Sequence, residues 1–342
     1  MRPFSMNRRS ALLLTAAGLG SAGLAPAAFA DRAKSPSGWH TGTSLPFPVQ
    51  EIYPARHAGR IHLAGGFVAE NGRITGPTSA HHAYNPNTGT WQLKAPLPSA
   101  RHHPQLISYR GHLYCIGGYE SGEAGAWQMR GGVWRYDEAS NAWAVAPAMP
   151  VPNGESVTEV ADGLLFVIGG RLPKADRNLD WSDQTDIATA WAFDGSKWFD
   201  VAPMPTARNS AASGVIDGYV HVVGGRTVGG GNESTHEIYD PASDRWERRA
   251  PMPKAQAGLA AAALGNKLYV FGGEYFDSQG GGVYPDAWVY DAITDKWTAI
   301  PDMPRPRHGL GAVTLGRDIY VIGGAQQASG NDTSAAVEIY TP

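Results

Sequence analysis

The stretch KLYVFGG at residues 267–273 decides the fold, because it joins five strand-forming residues to two adjacent glycines. The same doublet recurs six times, beginning at Gly65, Gly117, Gly169, Gly224, Gly272 and Gly323. Successive copies are 52, 52, 55, 48 and 51 residues apart. Each copy follows a short β-branched or aromatic run bounded by turn residues, which is typical of a strand. Six copies at a period near fifty residues predict a propeller.

The second half of the repeat predicts how the ring closes. After five of the doublets come an aromatic residue, a Trp and, six positions later, an apolar residue with Pro, as in Tyr290, Trp297 and 303–304. The sixth unit has Tyr340 but no Trp after it. Trp39, near the start of the chain, has the spacing to a following apolar residue and Pro that this missing Trp should have. We therefore expect the strand around Trp39 to be the outer strand of the sixth blade. Closure of the ring would remove exposed sheet edges.

Composition agrees with an all-β fold. The chain has 342 residues, 43 of them Gly and 25 Pro, which argues against a helical bundle because both residues disfavour helix interiors. With 42% hydrophobic residues and 11 Trp, it has enough apolar material for a sizeable core. Cys115 is the single cysteine, so no internal disulfide can form, and its place in an apolar strand predicts a small core residue.

The repeated Gly-Gly doublet, the Tyr and Trp seven positions apart and the Met-Pro turn resemble the kelch repeat family. The resemblance covers residues 39–342. It implies a six-bladed kelch β-propeller, closed by an N-terminal outer strand, in which the motif glycines and aromatics are structural.

Residues 1–30 have the pattern of an export signal. They hold three arginines and no acid, an apolar stretch over 11–24, and Ala28-Phe29-Ala30 as a cleavage-site pattern. Arg8-Arg9 is similar to a twin-arginine signal, with an ordinary secretory signal as the alternative. We expect a domain at 31–342 that is exported, periplasmic or secreted. Its net charge would be more negative than the −3 of the whole chain, which disfavours nucleic-acid binding and anionic membranes.

The residue sixteen positions before each doublet marks a candidate ligand site. This register predicts the start of each innermost strand, where the blades meet at one mouth of the channel. Arginines at three of these positions are expected to point toward a shared axis and bind an anion. Asn153 and Gln256 are further ligand-binding candidates. The six positions are Val49, Arg101, Asn153, Arg208, Gln256 and Arg307.

Two positions further on lie the candidate catalytic residues. Glu51, His103 and Glu155 occupy equivalent positions in the first three units. Two carboxylates beside a histidine can serve as acid and base if their pKa values differ. The alternative is that charged side chains at a channel mouth are merely hydrated.

Two tryptophans outside the repeat pattern, Trp127 and Trp181, lie in long loops that should open on the same face. Such aromatics can stack on a sugar ring or anchor a partner protein, with packing within the loops as the alternative.

Three functions follow as hypotheses. The favoured one is an exported propeller that binds a small anionic sugar or glycan at the channel mouth, leaving open whether it also isomerises it. N-acetylneuraminate mutarotases have a similar architecture and need the same kinds of residue. The alternative is a non-enzymatic protein-interaction propeller. A copper oxidase like galactose oxidase is disfavoured because there is no Tyr-His dipeptide, although His102, His103 and His308 keep a metal site open. No cofactor is expected.

Overall fold

The computed structural model describes residues 37–122 and 125–342, almost all of them in strands and turns. The proposed export signal, residues 1–30, lies outside this range. Within it, no helix is long and apolar enough to cross a membrane. The described residues belong to one compact unit, Pro36–Pro342.

Six antiparallel four-stranded sheets form the blades, numbered here in chain order and each given from the innermost strand outward. Blade 1 comprises Ala55–His57, Arg60–Ala64, His81–Asn85 and Thr90–Lys94. Blade 2 comprises Gln105–Tyr109, His112–Ile116, Val133–Asp137 and Ala142–Ala146. Blade 3 comprises Val157–Ala161, Leu164–Ile168, Ala190–Phe193 and Trp198–Val201.

The second half of the ring repeats this pattern. Blade 4 comprises Ala212–Ile216, Tyr219–Val223, His236–Asp240 and Arg245–Arg248. Blade 5 comprises Ala260–Leu264, Lys267–Phe271, Ala287–Asp291 and Lys296–Ile300. Blade 6 comprises Gly311–Leu315, Asp318–Ile322, Val337–Thr341 and Gly38–Thr41.

The outer strand of blade 6 confirms the predicted closure. Gly38–Thr41 pairs antiparallel with Val337–Thr341, placing Trp39 opposite Tyr340. The innermost strand of each blade contacts those of both neighbours, and blade 6 contacts blade 1 in the same way. The predicted all-β, six-bladed propeller is therefore confirmed, with the two termini of the described chain joined in one sheet.

The repeat tryptophans link neighbouring blades through hydrogen bonds. Each indole Nε1 donates to a backbone carbonyl of the preceding blade at 2.8–3.0 Å, so the six residues act alike around the ring. The pairs are Trp39 with Pro301, Trp91 with Thr43, Trp143 with Ala95, Trp198 with Pro147, Trp246 with Ala202 and Trp297 with Ala250. Cys115 is fully buried, and burial raises the pKa of its thiol to about 12, which fits a core residue.

Short hairpins and turns extend beyond the blades at one end of the ring, where each doublet ends the second strand of its blade. The doublet glycines have positive φ, as at Gly224 and Gly225, so the chain turns sharply toward the channel mouth. The extra strands are Val49–Gln50, Phe67–Glu70, Arg73–Pro77, Tyr119–Gly122, Gly125–Met129, Arg171–Pro173, Gln184–Asp186, Arg226–Thr227, Gly231–Asn232, Glu274–Tyr275 and Gly282–Val283. Two single-turn 3₁₀ helices are Trp181–Asp183 and Ala328–Gly330.

Candidate functional site

Three positions in every blade build the channel mouth. The first position directly follows the doublet. Its backbone pairs with that of the second position, which lies seventeen residues earlier in every blade. The third is the residue after the second. The residues after the doublets are Phe67, Tyr119, Arg171, Arg226, Glu274 and Ala325, and their backbone partners are Gln50, His102, Gly154, Asn209, Ala257 and His308.

The third position forms a ring of residues in the left-handed backbone conformation, with φ between 49° and 65°. Gly and Ser occupy it in three blades at low or moderate cost, whereas Glu and His there are uncommon choices that point to a function. Backbone N–H groups of this ring donate to the carbonyl of the preceding blade's ring residue. The five bonds are Glu51 to Gly309, His103 to Glu51, Ser210 to Glu155, Gly258 to Ser210 and Gly309 to Gly258.

Hydrogen bonds around His103 define its protonation state. His102 Nε2 lies 2.6 Å from the carbonyl oxygen of Ala126, so this nitrogen carries a proton and donates. His102 Nδ1 is then an acceptor for His103 Nδ1, 2.6 Å away. His103 Nε2 also donates, to a Glu51 oxygen at 2.8 Å. The network thus assigns protons to both nitrogens of His103, which makes a buried imidazolium–carboxylate pair.

The pKa shifts agree with this assignment. Burial alone would raise the pKa of Glu51, but the His103 charge and hydrogen bond, together with His308, hold it well below its ordinary value. Burial alone would lower the pKa of His103, but Glu51 and then Glu155 raise it above its ordinary value. Burial and the neighbouring His103 charge lower the pKa of His102 well below the usual range. His102 is therefore neutral when His103 is charged.

Glu155 lies beneath the floor of the mouth. It is 2% exposed, accepts a hydrogen bond from Ser210 Oγ at 2.5 Å and one from Tyr119 Oη at 3.2 Å, and lies 3.6 Å from Arg171 Nη1. Burial alone would raise its pKa, but Arg171 and His103 lower it. The structure therefore joins Glu51 and His103 directly and places Glu155 as a supporting charge.

Two arginines not predicted from the sequence lie on the floor beside these groups. Arg171 is 1% exposed, yet its Nε and Nη1 atoms have no hydrogen-bond partner among the described residues. The plane of its guanidinium group lies under the Trp181 ring, 4.9 Å from the centroid. Arg226 donates from Nη1 to Glu274 at 2.7 Å and keeps part of its side chain exposed. Arg226 can therefore contact a ligand, whereas the buried Arg171 contributes its charge to the floor.

A cavity of about 710 Å³ opens above this floor, within the usual range for small-molecule sites. Its lining includes Glu51, His103, Arg171, Arg226, Glu274 and His308. Its aromatic wall includes Trp127 and Trp181, as predicted, with Phe67, Tyr275, Phe276 and Tyr284. Trp127 also packs edge to face against His102, with ring centroids 4.8 Å apart.

The expected orientation of three arginines toward the channel axis is wrong. Arg101, Arg208 and Arg307 are at most 1% exposed and do not line the mouth cavity. Each turns back into its own blade, because the strand carbonyls and a buried glutamate there would otherwise lack a partner. The ion pairs are Arg101 with Glu120 at 2.7 Å, Arg208 with Glu237 at 2.5 Å and Arg307 with Glu338 at 3.2 Å.

Asn153 and Gln256 also turn into their blades rather than into the cavity. Asn153 Nδ2 donates to the Gly169 carbonyl at 3.1 Å, and Gln256 Nε2 donates to the Gly272 carbonyl at 2.7 Å. In both blades the acceptor is the first glycine of the doublet, sixteen residues later. The residues sixteen positions before the doublets therefore stabilise the turns of their own blades. The positions that build the mouth begin one residue later in the chain.

A signal for the missed arginines was present in the sequence. The residue after each doublet varies in charge and size while the doublet itself does not, and in four of the six units this residue lines the mouth cavity. Among residues 37–122 and 125–342, no group of three or more His, Cys, Asp or Glu side chains is arranged to hold a metal ion.

Family models and solved structures agree with the geometry. Residues 154–336 match the KLHDC2/KLHL20/DRC7 Kelch-repeats domain, and residues 100–150 match the Kelch motif. A solved structure titled "Structure of YjhT" has 18% sequence identity and a TM-score of 0.74, covering 88% of this chain and 97% of that one. At that identity the likeness concerns the fold.

Curated relatives are longer than this chain. Kelch-like protein terF of Aspergillus terreus is 28% identical over 306 residues, which covers 88% of this chain and 66% of that protein. Kelch-like protein 15 of Homo sapiens is 27% identical over 256 residues, which covers 68% of this chain and 40% of that protein. The chain thus spans between two fifths and two thirds of the length of these relatives.

Proposed function

The chain belongs to the kelch-repeat family, and from that premise we propose that its mouth cavity binds a small anionic sugar and interconverts its anomers. The observation that carries the proposal is the His103–Glu51 pair on the floor of an aromatic-walled cavity that Arg171 and Arg226 also line. A kelch fold supports many functions, so the assignment rests on the site.

Binding uses two kinds of contact. The faces of Trp127 and Trp181 suit the apolar face of a sugar ring. A ligand carboxylate can accept from Arg226, whose side chain is 22% exposed, since guanidinium groups match carboxylates bidentately. The buried Arg171 guanidinium, 3.6 Å from Glu155 and 4.0 Å from Asp186, adds positive charge beneath it. In a buried site the gain from pairing these donors is about 1.5–3 kcal/mol for each charged hydrogen bond.

Ring opening needs one proton removed and one delivered. Glu51 would take the proton from the anomeric hydroxyl, and His103 Nε2 would give its proton to the ring oxygen as the ring C–O bond breaks. When His103 gives up its proton, Glu51 loses the neighbouring charge that depresses its pKa and becomes a stronger base. Reclosure on the other face of the carbonyl reverses both transfers, so the pair ends as it began.

A second candidate function rests on the rim of the cavity. Apolar side chains there are at least one-third exposed: Ile74, Trp181, Val228, Tyr275 and Phe276. Exposed aromatic and aliphatic groups around a concave site also suit a peptide segment of a partner protein. In this alternative the same cavity is a recognition pocket without catalysis.

The experiment compares N-acetylneuraminate and glucuronate with neutral glucose. Calorimetry with residues 31–342 should show binding of an acid and weaker binding of glucose, and exchange NMR should show faster interconversion of the bound acid's anomers. Arg226→Gln should weaken binding at least tenfold, whereas Arg245→Ala, at an exposed arginine on the outer strand of blade 4, should leave it unchanged. Equal binding by Arg226→Gln would contradict the anion anchor.

The same data separate the two candidates. His103→Gln should abolish anomer exchange while the acid still binds. An acid that binds without accelerated exchange would support recognition alone.

Export through residues 1–30 remains part of the proposal. The test is secretion of a reporter protein fused to residues 1–40. The matched variant carries Arg8→Lys and Arg9→Lys together.

A further inference from the structure

His102 is fully buried and does not itself line the mouth cavity. Two aromatic rings lie nearly parallel to its imidazole. The Phe67 ring centroid is 3.8 Å away and the Tyr119 ring centroid is 5.0 Å away, and Phe67 also lines the cavity. The backbone N–H groups of His102 and Tyr119 each donate to the carbonyl of the other, at 3.0 and 2.9 Å. Ring packing and backbone bonds therefore hold the His102 imidazole in one plane.

The tautomer of His102 follows from its contact with the strand Gly125–Met129. The carbonyl oxygen of Ala126 can only accept, and it lies 2.6 Å from Nε2 of His102, so the proton of the neutral ring is on Nε2. Nδ1 of His102 then carries a lone pair, which faces Nδ1 of His103 at 2.6 Å. His102 therefore offers an acceptor to the ring nitrogen of His103 that does not face Glu51.

The orientation of the His103 ring depends on this acceptor. The backbone of His103 has a φ of 53°, which sets where the side chain begins but leaves its ring free to rotate. A buried imidazolium has two N–H donors, and a donor left without an acceptor costs free energy. Glu51 accepts from Nε2 and His102 accepts from Nδ1, so both donors are satisfied in one ring orientation.

The charged groups around His103 do not replace this acceptor. Burial, the largest influence, lowers the pKa of His103. Glu51 and then Glu155 outweigh burial and raise the pKa, and Arg226 opposes them. These groups change how strongly the proton is held, but among the described residues only His102 forms a hydrogen bond with Nδ1. The rings that pack near His103 are those of Tyr53, Tyr119 and Trp127.

We propose that His102 is a positioning residue for the chemistry at the mouth, a role that rests on the function proposed above. Its Nδ1 atom accepts the Nδ1 proton of His103 and thereby directs the Nε2 proton of His103 at Glu51. When His103 gives its Nε2 proton to the ring oxygen of the sugar, the Nδ1 proton stays bonded to His102. The neutral ring then keeps a lone pair on Nε2, so the same atom can take the proton back on reclosure.

The test compares two substitutions at position 102 that separate packing from hydrogen bonding. His102→Phe keeps an aromatic ring against Phe67 and Tyr119 but has no acceptor. His102→Asn gives up the ring but places a carbonyl oxygen near the former Nδ1 atom. Nitrogen-15 NMR of the free protein near neutral pH should show protons on both ring nitrogens of His103 in the parent and in His102→Asn, and on one only in His102→Phe.

A matched control makes the same replacement elsewhere. His82→Phe changes a buried histidine that does not line the mouth cavity, and it should leave the His103 signals unchanged. Two protonated nitrogens on His103 in His102→Phe would overturn the proposal. Equal loss of the Nδ1 proton in His102→Phe and His102→Asn would also overturn it, because packing alone would then explain the effect.

Anomer exchange of N-acetylneuraminate supplies the second readout. His102→Phe should bind the acid as the parent does but exchange its anomers about tenfold more slowly, since a hydrogen bond to a charged group is typically worth that factor. His102→Asn should recover most of the rate. The pH above which exchange declines should move downward in His102→Phe, because the charged form of His103 is less favoured there. An unchanged pH profile would contradict the role of His102.

The two readouts separate the two proposals. A parent protein that shows no anomer exchange would contradict the function proposed for the mouth. The NMR measurement uses the free protein, so it would still decide whether His102 holds the Nδ1 proton of His103.

Discussion

His103 Nε2 donates to the Glu51 carboxylate at 2.8 Å across the boundary between blades 2 and 1. The two residues are 52 positions apart, so the contact exists only because equivalent positions of successive repeats meet around the channel. Each residue shifts the pKa of the other away from the value that burial alone would give it. The pair is therefore one charged unit rather than two separate groups.

Glu51→Gln should convert His103 from a charged to a neutral residue near neutral pH. With the main raising interaction gone, burial dominates and the pKa of His103 falls below its ordinary value. NMR titration of the imidazole signals measures this directly. Glu138→Gln, a change at a glutamate away from the mouth, serves as the control. An unshifted His103 titration in Glu51→Gln would refute the ion-pair assignment.

The closure strand should contribute as much as any other outer strand. Trp39→Phe removes the hydrogen bond to Pro301 but keeps the ring packed against Phe271 and Tyr340. We expect a loss of about 1 kcal/mol in the free energy of unfolding, the usual net worth of one hydrogen bond. Urea denaturation should give a similar loss for Trp91→Phe. A Trp39→Phe variant as stable as the parent would show that the closure bond is not used.

Substitutions of Arg208 and Arg226 should affect different properties: the first should lower stability, and the second should weaken ligand binding. Arg208→Met leaves Glu237 buried without its ion pair, which typically costs about 3–5 kcal/mol of stability. The double variant Arg208→Met, Glu237→Leu should recover most of that loss, as measured by urea denaturation. Arg226→Gln, on the partly exposed mouth arginine, should change stability little and ligand binding strongly. A stable Arg208→Met protein with impaired acid binding would restore the orientation first expected.

Glu159 should make the protein less stable as pH rises. Its pKa is raised to about 7 in the folded chain and is near 4.5 when unfolded, so the folded state binds the extra proton between these values. The contribution of Glu159 to the free energy of unfolding therefore falls from pH 4.5 to about 7 and levels off above that pH. Glu159→Gln should remove this fall and be more stable by up to about 3 kcal/mol at pH 8. Urea titrations of both proteins at pH 5 and 8 test it. An equal difference at the two pH values would contradict the raised pKa.

The repeat spacing was sufficient to predict the blades and the role of Trp39, because each repeat must bury the same aromatic residues against its neighbour. The same spacing predicted that Glu51 and His103 meet, since equivalent positions of adjacent blades converge on the channel. These predictions needed only the repeat spacing, because it determines where the backbone of each residue lies within its blade and around the channel.

Side-chain direction could not be predicted in the same way. Arg101 and Arg307 occupy the expected backbone positions, but their guanidinium groups turn back to carbonyls and glutamates of their own blades. The register used for the candidate sites does not reach Arg171 and Arg226, because both directly follow a doublet rather than precede it by sixteen or fourteen residues. The repeat spacing predicts the backbone position of a residue. The orientation of a long side chain depends instead on which nearby polar group still lacks a hydrogen-bond partner.

The ring of left-handed residues has a consequence for how this protein can change. Its backbone is held by bonds between main-chain atoms, so the identity of each side chain there is decoupled from the geometry of the channel. Residues that tolerate this conformation, such as Asn and Asp, can therefore replace Gly258, where an added Cβ would meet no atom closer than 3.7 Å. At Gly309 an added Cβ would lie 2.7 Å from a Glu51 oxygen, so that position requires glycine. A new functional side chain can therefore be introduced into the channel floor at Gly258 without a change in the blades.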